Sequence, residues 1–212
     1  MVKYFHYHIG NHHFDAPLIS SQCEHRNEDN VRCRKRCLIG LYKCYIHLLS
    51  DHCLRIQPSA FLQNINVEGL GLYAKFRPIG TRPIDYRYPT TFHGDTNRRK
   101  IYGAGDQICA YNGERISNAI LNHRYHGQTA PYGVKINGNL YEDAATHRGV
   151  GSLINHTTRT RANCRLSADT RNGIINIKCT SNIYEDDELL LNYGNRFIWN
   201  QPGVLTATNN KR

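Results

Sequence analysis

Gly149-Val-Gly-Ser-Leu-Ile-Asn155-His156, then Asn163-Cys164, then Glu185-Asp186-Asp187-Glu188-Leu189-Leu190-Leu191-Asn192-Tyr193-Gly194: this is the stretch on which the fold turns. An apolar run closes on an amide–imidazole pair. An acidic turn further on feeds a second apolar run that ends in Tyr-Gly. Core strands seldom finish on such side chains, so the pattern places a polar site at the ends of buried strands. On these residues alone the plainer reading is a turn cap at Asn155-His156 and a core tyrosine at Tyr193 with its hydroxyl satisfied.

Three upstream segments extend the pattern: Gly69-Leu70-Gly71-Leu72-Tyr73-Ala74, Gly105-Asp106-Gln107-Ile108-Cys109-Ala110-Tyr111-Asn112-Gly113-Glu114, and Tyr141-Glu142-Asp143-Ala144. Val67 to Ala74 reads as a strand, and glycine within a strand marks the close approach of a ligand or another backbone. Gly69-x-Gly71 is no dinucleotide fingerprint, because neither a third glycine nor a helix pattern follows. Asn-Gly pairs at 112–113, 137–138 and 172–173 punctuate short β-prone runs: Gln107 to Tyr111, Tyr132 to Ile136, Leu140 to Asp143, Cys164 to Ala168 and Ile174 to Cys179. These predict a mostly β, β-rich α+β domain of small sheets. Glu114 to Tyr125 carries a helical spacing at Ile116, Ala119, Ile120 and Leu121. No strand–helix–strand alternation appears, which excludes a doubly wound parallel sheet.

In this order the motifs resemble those of the SET-domain protein lysine methyltransferases over residues 66–200. The resemblance implies a β-clip of several small sheets whose C-terminal segment, ending at Tyr193, threads under the loop containing Asn155-His156. It implies S-adenosyl-L-methionine as cofactor, held by Gly69, Leu70, Gly71, Leu72, Asn155, His156 and Tyr193. It makes Tyr193 the central hydroxyl, aimed at the methyl group and the attacking nitrogen. Tyr111 would line the lysine channel, where the plainer reading is strand packing; Tyr132 is a further candidate. Phe197 or Trp199 would cover the adenine. The implied reaction is methyl transfer to the ε-amine of a lysine in a protein, a histone or another basic protein. The alternative is a non-catalytic zinc-bearing SET-like module that binds nucleic acid or chromatin.

The sequence departs from the family in places. Thr157 and Thr158 stand where serine and cysteine usually follow Asn-His, and Ala162 stands where proline usually precedes Asn-Cys. No Cys-x-Cys-x4-Cys follows Tyr193, so the tail from Phe197 to Val204, or a second chain, must close the channel. Residues 75–104 form an insertion rich in proline, glycine, arginine and tyrosine.

The formal net charge is +10 over 212 residues, and hydrophobic residues make up 40%. Such a charge serves solubility or attracts nucleic acid, and it concentrates at Arg32-Cys33-Arg34-Lys35-Arg36 and Asn97-Arg98-Arg99-Lys100. Glu185, Asp186, Asp187 and Glu188 form a local acidic patch, read either as a lure for basic residues flanking the target lysine or as a solvated turn. No apolar run is long enough for a membrane helix. The first residues lack the apolar region of a signal peptide, so the expected compartment is intracellular, nuclear or cytoplasmic, where thiols stay reduced.

In that setting the clustering of five of the eight cysteines, Cys23, Cys33, Cys37, Cys44 and Cys53, argues for metal. Cys23-x9-Cys33-x10-Cys44-x2-His47 supplies the four N or S ligands a structural Zn2+ takes, with no open position for chemistry. Cys37, His25, His52 and Cys53 are spare candidates for that shell, and the bland reading is free thiols in a basic loop. Cys109, Cys164 and Cys179 lie in apolar strands as small buried hydrophobes. The predicted organisation is an N-terminal segment, 1–22, with His6, His8, His12 and His13 as incidental surface histidines. A zinc module, 23–55, follows; Leu54 to Asn66 leads into the SET domain, 56–200, and 201–212 form the tail.

Overall fold

The computed structural model describes residues 4–9, 12–17, 21–37, 42–64, 69–75, 98–126, 130–145 and 149–194. Most of the insertion, the four N-terminal histidines' side chains, Gly40, Val67, Phe197 and Trp199 lie outside the described residues.

The chain opens with an antiparallel pair, β1 (Tyr4–Ile9) and β2 (His12–Pro17). A loop region follows in which isolated bridges join Gln22 to Arg36 and Arg26 to Arg32. It runs into α1 (Tyr45–His52), which ends where Cys53 adopts a left-handed conformation. The stretch expected to be a bridge instead contains β3 (Leu54–Pro58) and the one-turn helix α2 (Ala60–Gln63). β3 pairs antiparallel with β4 (Leu70–Ala74). Ser59 caps α2 by accepting from the Leu62 N–H, a role serine takes because its oxygen satisfies an amide the helix itself cannot.

After β5 (Lys100–Tyr102) and β6 (Gln107–Tyr111) comes β7 (Glu114–Ser117), and only then α3 (Asn118–Tyr125). The helical spacing from Glu114 therefore began four residues early. Ile116 is a buried strand residue whose neighbour across the ladder is Tyr141, so pairing overrode the spacing. β8 (Gly133–Asn137) and β9 (Leu140–Asp143) form the hairpin expected at Asn137-Gly138, and β7 completes that sheet. A 3-10 turn (Val150–Leu153) leads into β10 (Asn155–His156). The second expected hairpin is β11 (Cys164–Asp169) with β12 (Ile174–Cys179), followed by β13 (Ile183–Tyr184), which pairs with β5, and β14 (Leu190–Leu191).

The largest described sheet has the order β10-β14-β11-β12-β6. β14 runs parallel to both neighbours, so it lies between two strands that the loop 157–163 joins. That loop is sewn to it: the Thr157 N–H donates to Leu191 O at 2.8 Å, and Asn163 Nδ2 donates to Glu188 O at 2.8 Å. This is the expected threading, in a mostly β fold of small sheets. One apolar core joins the sheets that follow β2, with Leu72, Ile154, Ile177, Leu189 and Leu191 at 0–1% exposure. Each such side chain contributes about 1.5–3 kcal/mol on burial. Among the described residues no helix is long and apolar enough to cross a membrane.

Two buried carboxylates brace the β7–β9 edge. Asp143, fully enclosed, accepts from Arg124 Nη1 at 2.5 Å, from the Tyr125 hydroxyl at 2.9 Å and from the Ala145 N–H. Glu142 accepts from Arg115 Nε and the Gly113 N–H, both at 2.9 Å. Gly113 must be glycine: a Cβ there would stand 2.5 Å from the Asp143 carbonyl carbon and oxygen.

Candidate functional site

Threading brings the two halves of the opening stretch together. The Tyr193 N–H donates to His156 Nδ1 at 2.8 Å, and the two rings lie 5.1 Å apart. The Tyr193 hydroxyl donates to the Ile154 carbonyl. Since Nδ1 accepts, the His156 proton sits on Nε2, and burial holds its pKa below the ordinary value. This histidine is thus neutral and fixed as a strut. Tyr193 and Tyr132 pack against the same core that contains Tyr111. Tyr111 is buried and donates its hydroxyl to the Tyr132 carbonyl at 2.8 Å.

Asn155 reaches the Gly-x-Gly strand. Its Nδ2 donates to Leu70 O and to Glu188 Oε1, each at 3.0 Å, which commits both amide hydrogens and leaves Oδ1 as its acceptor. Glu188 is the hub here. Oε1 also accepts from Ser59 Oγ at 2.6 Å, while Oε2 accepts from the Tyr73 hydroxyl at 2.9 Å and the Phe61 N–H at 3.0 Å. One carboxylate so ties α2, β4 and β10 to the segment entering β14. The glycine at 71 follows from this: a Cβ there would stand 2.4 Å from Glu188 Oε1 and 3.3 Å from Asn155 Nδ2. Spacing did not single out Glu188 as a site residue. The signal was available in the pairing of an in-strand glycine with a carboxylate that needs donors.

Around these groups Gly69 and Leu70 are exposed, Leu70 at 55%. Leu72 is a core residue, so of the four Gly-Leu positions only the first part of β4 meets solvent. Thr157, next to His156, is enclosed at 2% exposure, and its hydroxyl has no hydrogen-bond partner. An anionic hub, a neutral imidazole, a phenol and an exposed strand end with an apolar side chain suit a small ligand with both cationic and apolar parts. S-adenosylmethionine, which carries a sulfonium and an ammonium, fits that description.

The acidic turn faces its own chain. Asp186 pairs with Lys75, and Asp187 pairs with Arg98, whose Nη2 also donates to Glu185 O at 2.7 Å. Asp187 Oδ2 further accepts the Tyr184 N–H at 2.8 Å. With Glu188 occupied as hub, Asp186 and Asp187 tie the turn to Lys75 and Arg98, and Asp186 stays largely exposed.

Cys23, Cys33, Cys44 and His47 form the expected cluster, all four ligand atoms lying within 4.8 Å of one another. His47 Nδ1 is 3.3 Å from Cys44 Sγ and 3.5 Å from Cys23 Sγ, close to the roughly 3.5 Å edge of a tetrahedron with Zn–S near 2.3 Å and Zn–N near 2.0 Å. Cys-x-x-His works because α1 begins at Tyr45 and brings residue 47 back beside its N-cap, Cys44. Amide donors already favour thiolates: the Cys44 N–H points at Cys23 Sγ and the Lys35 N–H at Cys33 Sγ. Burial pushes the Cys23 thiol up, but donors from Cys44 and His25 outweigh it, and the net direction is down. The donor set therefore fits Zn2+. His25 lies outside the set: it stacks on His47 at 3.6 Å and bonds Asp51 at 2.9 Å. Cys37 packs against the cluster without joining it, and neither His52 nor Cys53 belongs to it.

A family model for the SET domain matches residues 9–194. No curated protein sequence matches. Among solved structures, similarity is found to the Chaetomium thermophilum polycomb repressive complex 2, at 20% identity over 70% of this chain and 16% of that chain, with a TM-score of 0.47. The same complex bound to GSK126 gives 19% identity over 68% of this chain and 16% of that one, TM-score 0.46. The ctPRC2 structure in an autoinhibited conformation bound to S-adenosylmethionine gives 20%, 69% and 16%, TM-score 0.45. The present chain thus spans about 16% of the length of the chains it matches.

Proposed function

The chain belongs to the SET-domain family, and on that premise we propose that it transfers a methyl group from S-adenosylmethionine to the ε-amine of a lysine in a protein. The observation that carries this reading is the meeting of Tyr193 with His156 across thirty-seven residues of sequence, beside Asn155 and the exposed end of β4.

When bound, S-adenosylmethionine supplies a methyl group on a positively charged sulfur, an electrophile open to in-line attack. In this reading Gly69, Leu70, Gly71 and Leu72 meet it by backbone, Asn155 and His156 hold its ends, and Tyr193 sits by the methyl. The substrate lysine must lose its proton, against a solution pKa of about 10.4. Apolar walls supplied by Tyr111 and Tyr132 disfavour the charged amine and lower that barrier. Tyr193 commits its own proton to Ile154 O, so toward the amine it acts as an acceptor and sets the nitrogen's orientation. His156 is not the base, because Nδ1 is used by the Tyr193 N–H. Alignment then provides much of the rate. Residues 23–55 are in this reading a structural zinc module, held by Cys23, Cys33, Cys44 and His47, and residues 56–200 carry the chemistry. The substrate is a basic protein, with histones the first to test, which would put the protein in the nucleus.

The test is transfer of labelled methyl to mixed histones and to a whole-cell extract, with Tyr193→Phe alongside and cofactor binding measured by calorimetry. Incorporation by the native protein that falls on the order of 100-fold in the variant, with binding retained, supports the reading. Absence of both incorporation and cofactor binding overturns it and leaves a non-catalytic zinc-bearing module.

A further inference from the structure

The β11–β12 hairpin and the loop before it carry a concentration of positive charge that the methyl-transfer reading does not use, with Arg165 and Lys178 on the hairpin's outward face. Arg159, Arg161, Arg165, Arg171 and Lys178 fall within twenty residues that hold a single acid, Asp169. The four arginines are exposed and Lys178 is half-buried. Among the described residues none of the five enters an ion pair.

Register sharpens the point. Arg165 and Lys178 are direct cross-strand partners, so both point to one face with Cβ atoms about 5 Å apart. Like charges so placed repel, and a fold tolerates the arrangement at a cost unless an anion lies over it. The other face of the same strands is Cys164, Cys179, Ile175 and Ile177, the core. Asp169 and Asp106 are hydrogen-bonded locally: Asp169 accepts in the hairpin turn from Arg171 N, Asn172 N and Asn172 Nδ2, and Asp106 accepts the Gly103 N–H at 2.6 Å. Arg159 and Arg161 lie in the loop 157–163, which is pinned to the same end of the hairpin where Thr180 N donates to Asn163 O and Thr180 Oγ1 to Ala162 O.

We propose that this face binds the phosphate backbone of double-stranded DNA. Its charge complements a polyanion, and Ser167 and Asn176, paired in register on the same face beside Arg165 and Lys178, supply short neutral hydrogen-bonding groups; the next pair on that face is Asp169 and Ile174. The face has no aromatic side chain on which an unpaired base would stack, which points to a duplex rather than a single strand. Contacts to phosphate alone carry no sequence information, so binding is independent of sequence.

The experiment is fluorescence anisotropy of the full chain with a labelled duplex of about 30 base pairs, run without S-adenosylmethionine so that it is independent of catalysis. Four neutralised phosphates give a slope of about −3.6 in log K against log salt, a loss on the order of 100-fold between 50 and 200 mM. In Arg165→Ser/Lys178→Ser the slope moves toward zero by about 1.8, with the unfolding midpoint unchanged or raised. Arg34→Ser/Arg36→Ser, in the metal module, leaves the slope as it is. The proposal is overturned by absence of binding, by an unchanged slope in the hairpin variant, or by tighter binding of single-stranded DNA, double-stranded RNA or polyglutamate than of the duplex.

Discussion

The backbone N–H of Tyr193 donates to Nδ1 of His156 at 2.8 Å, so the imidazole is held in the tautomer that carries its proton on Nε2. Two segments distant in sequence are thereby locked through a lone pair that exists only while the ring is neutral.

That bond sets a pH dependence. Burial lowers the His156 pKa in the folded chain, below the roughly 6.5 of the unfolded one. The unfolded chain therefore takes up the proton first, and this contribution to stability is full above about pH 6.5 and is lost as the pH falls below it. His47 and His52 are also held low, so the native protein alone does not isolate the effect. His156→Asn keeps an acceptor near the Nδ1 position and does not titrate. Urea midpoints at pH 7.5 and 5.5 should show the native protein losing more than the variant; equal losses would remove the assignment.

Glu188 accepts from Ser59, Phe61, Tyr73 and Asn155. Glu188→Gln turns one oxygen into a donor facing donors, and breaking charge-assisted bonds costs about 2 kcal/mol. For a domain of this size that is a fall of about 4–8 °C in Tm, read by calorimetric melting. A variant that melts within a degree of the native protein shows that the hub contributes nothing.

Thr157 is the counter-case. Its hydroxyl is enclosed without a partner, which costs about 1–3 kcal/mol of desolvation. Thr157→Val keeps the shape and removes the orphan group, and it should raise stability by about 1 kcal/mol in a denaturant titration. Destabilisation by the same amount would mean that the hydroxyl is satisfied in solution.

Metal content should separate the four ligands from their neighbour. Plasma emission on purified protein should return about one zinc per chain. Cys23→Ser and Cys44→Ser should lose it and Cys37→Ser should keep it, since Cys37 stands outside the cluster. Less than about half an ion in the native protein removes the assignment.

Where sequence reading succeeded, the signal was local. Asn137-Gly138 and Asn172-Gly173 made hairpins because the chain on either side pairs with itself, and Cys44-x-x-His47 is one helical turn. Where it misjudged, distant partners decided. Asn112-Gly113 joins β6 to β7, strands of different sheets, and the glycine answers to the backbone at Asp143. Glu114 to Ser117 is strand because β9 lies beside it. The donors Asn155 gives to Leu70 and Glu188 were not legible either. Nor were the pairs that Asp186 and Asp187 of the acidic run make with Lys75 and Arg98, from segments far away in sequence. No pattern confined to one segment encodes such pairings.

Because β14 slots between strands that a loop has already tied together, its residues are the last of that sheet to leave the ribosome. A nascent chain owns most of its core, with Asn155 and His156, before it owns Tyr193. Protease cleavage between Thr180 and Glu188, or a steady pull from the carboxyl side, would draw the bolt and part Tyr193 from His156 while the β11–β12 hairpin behind it stays shut.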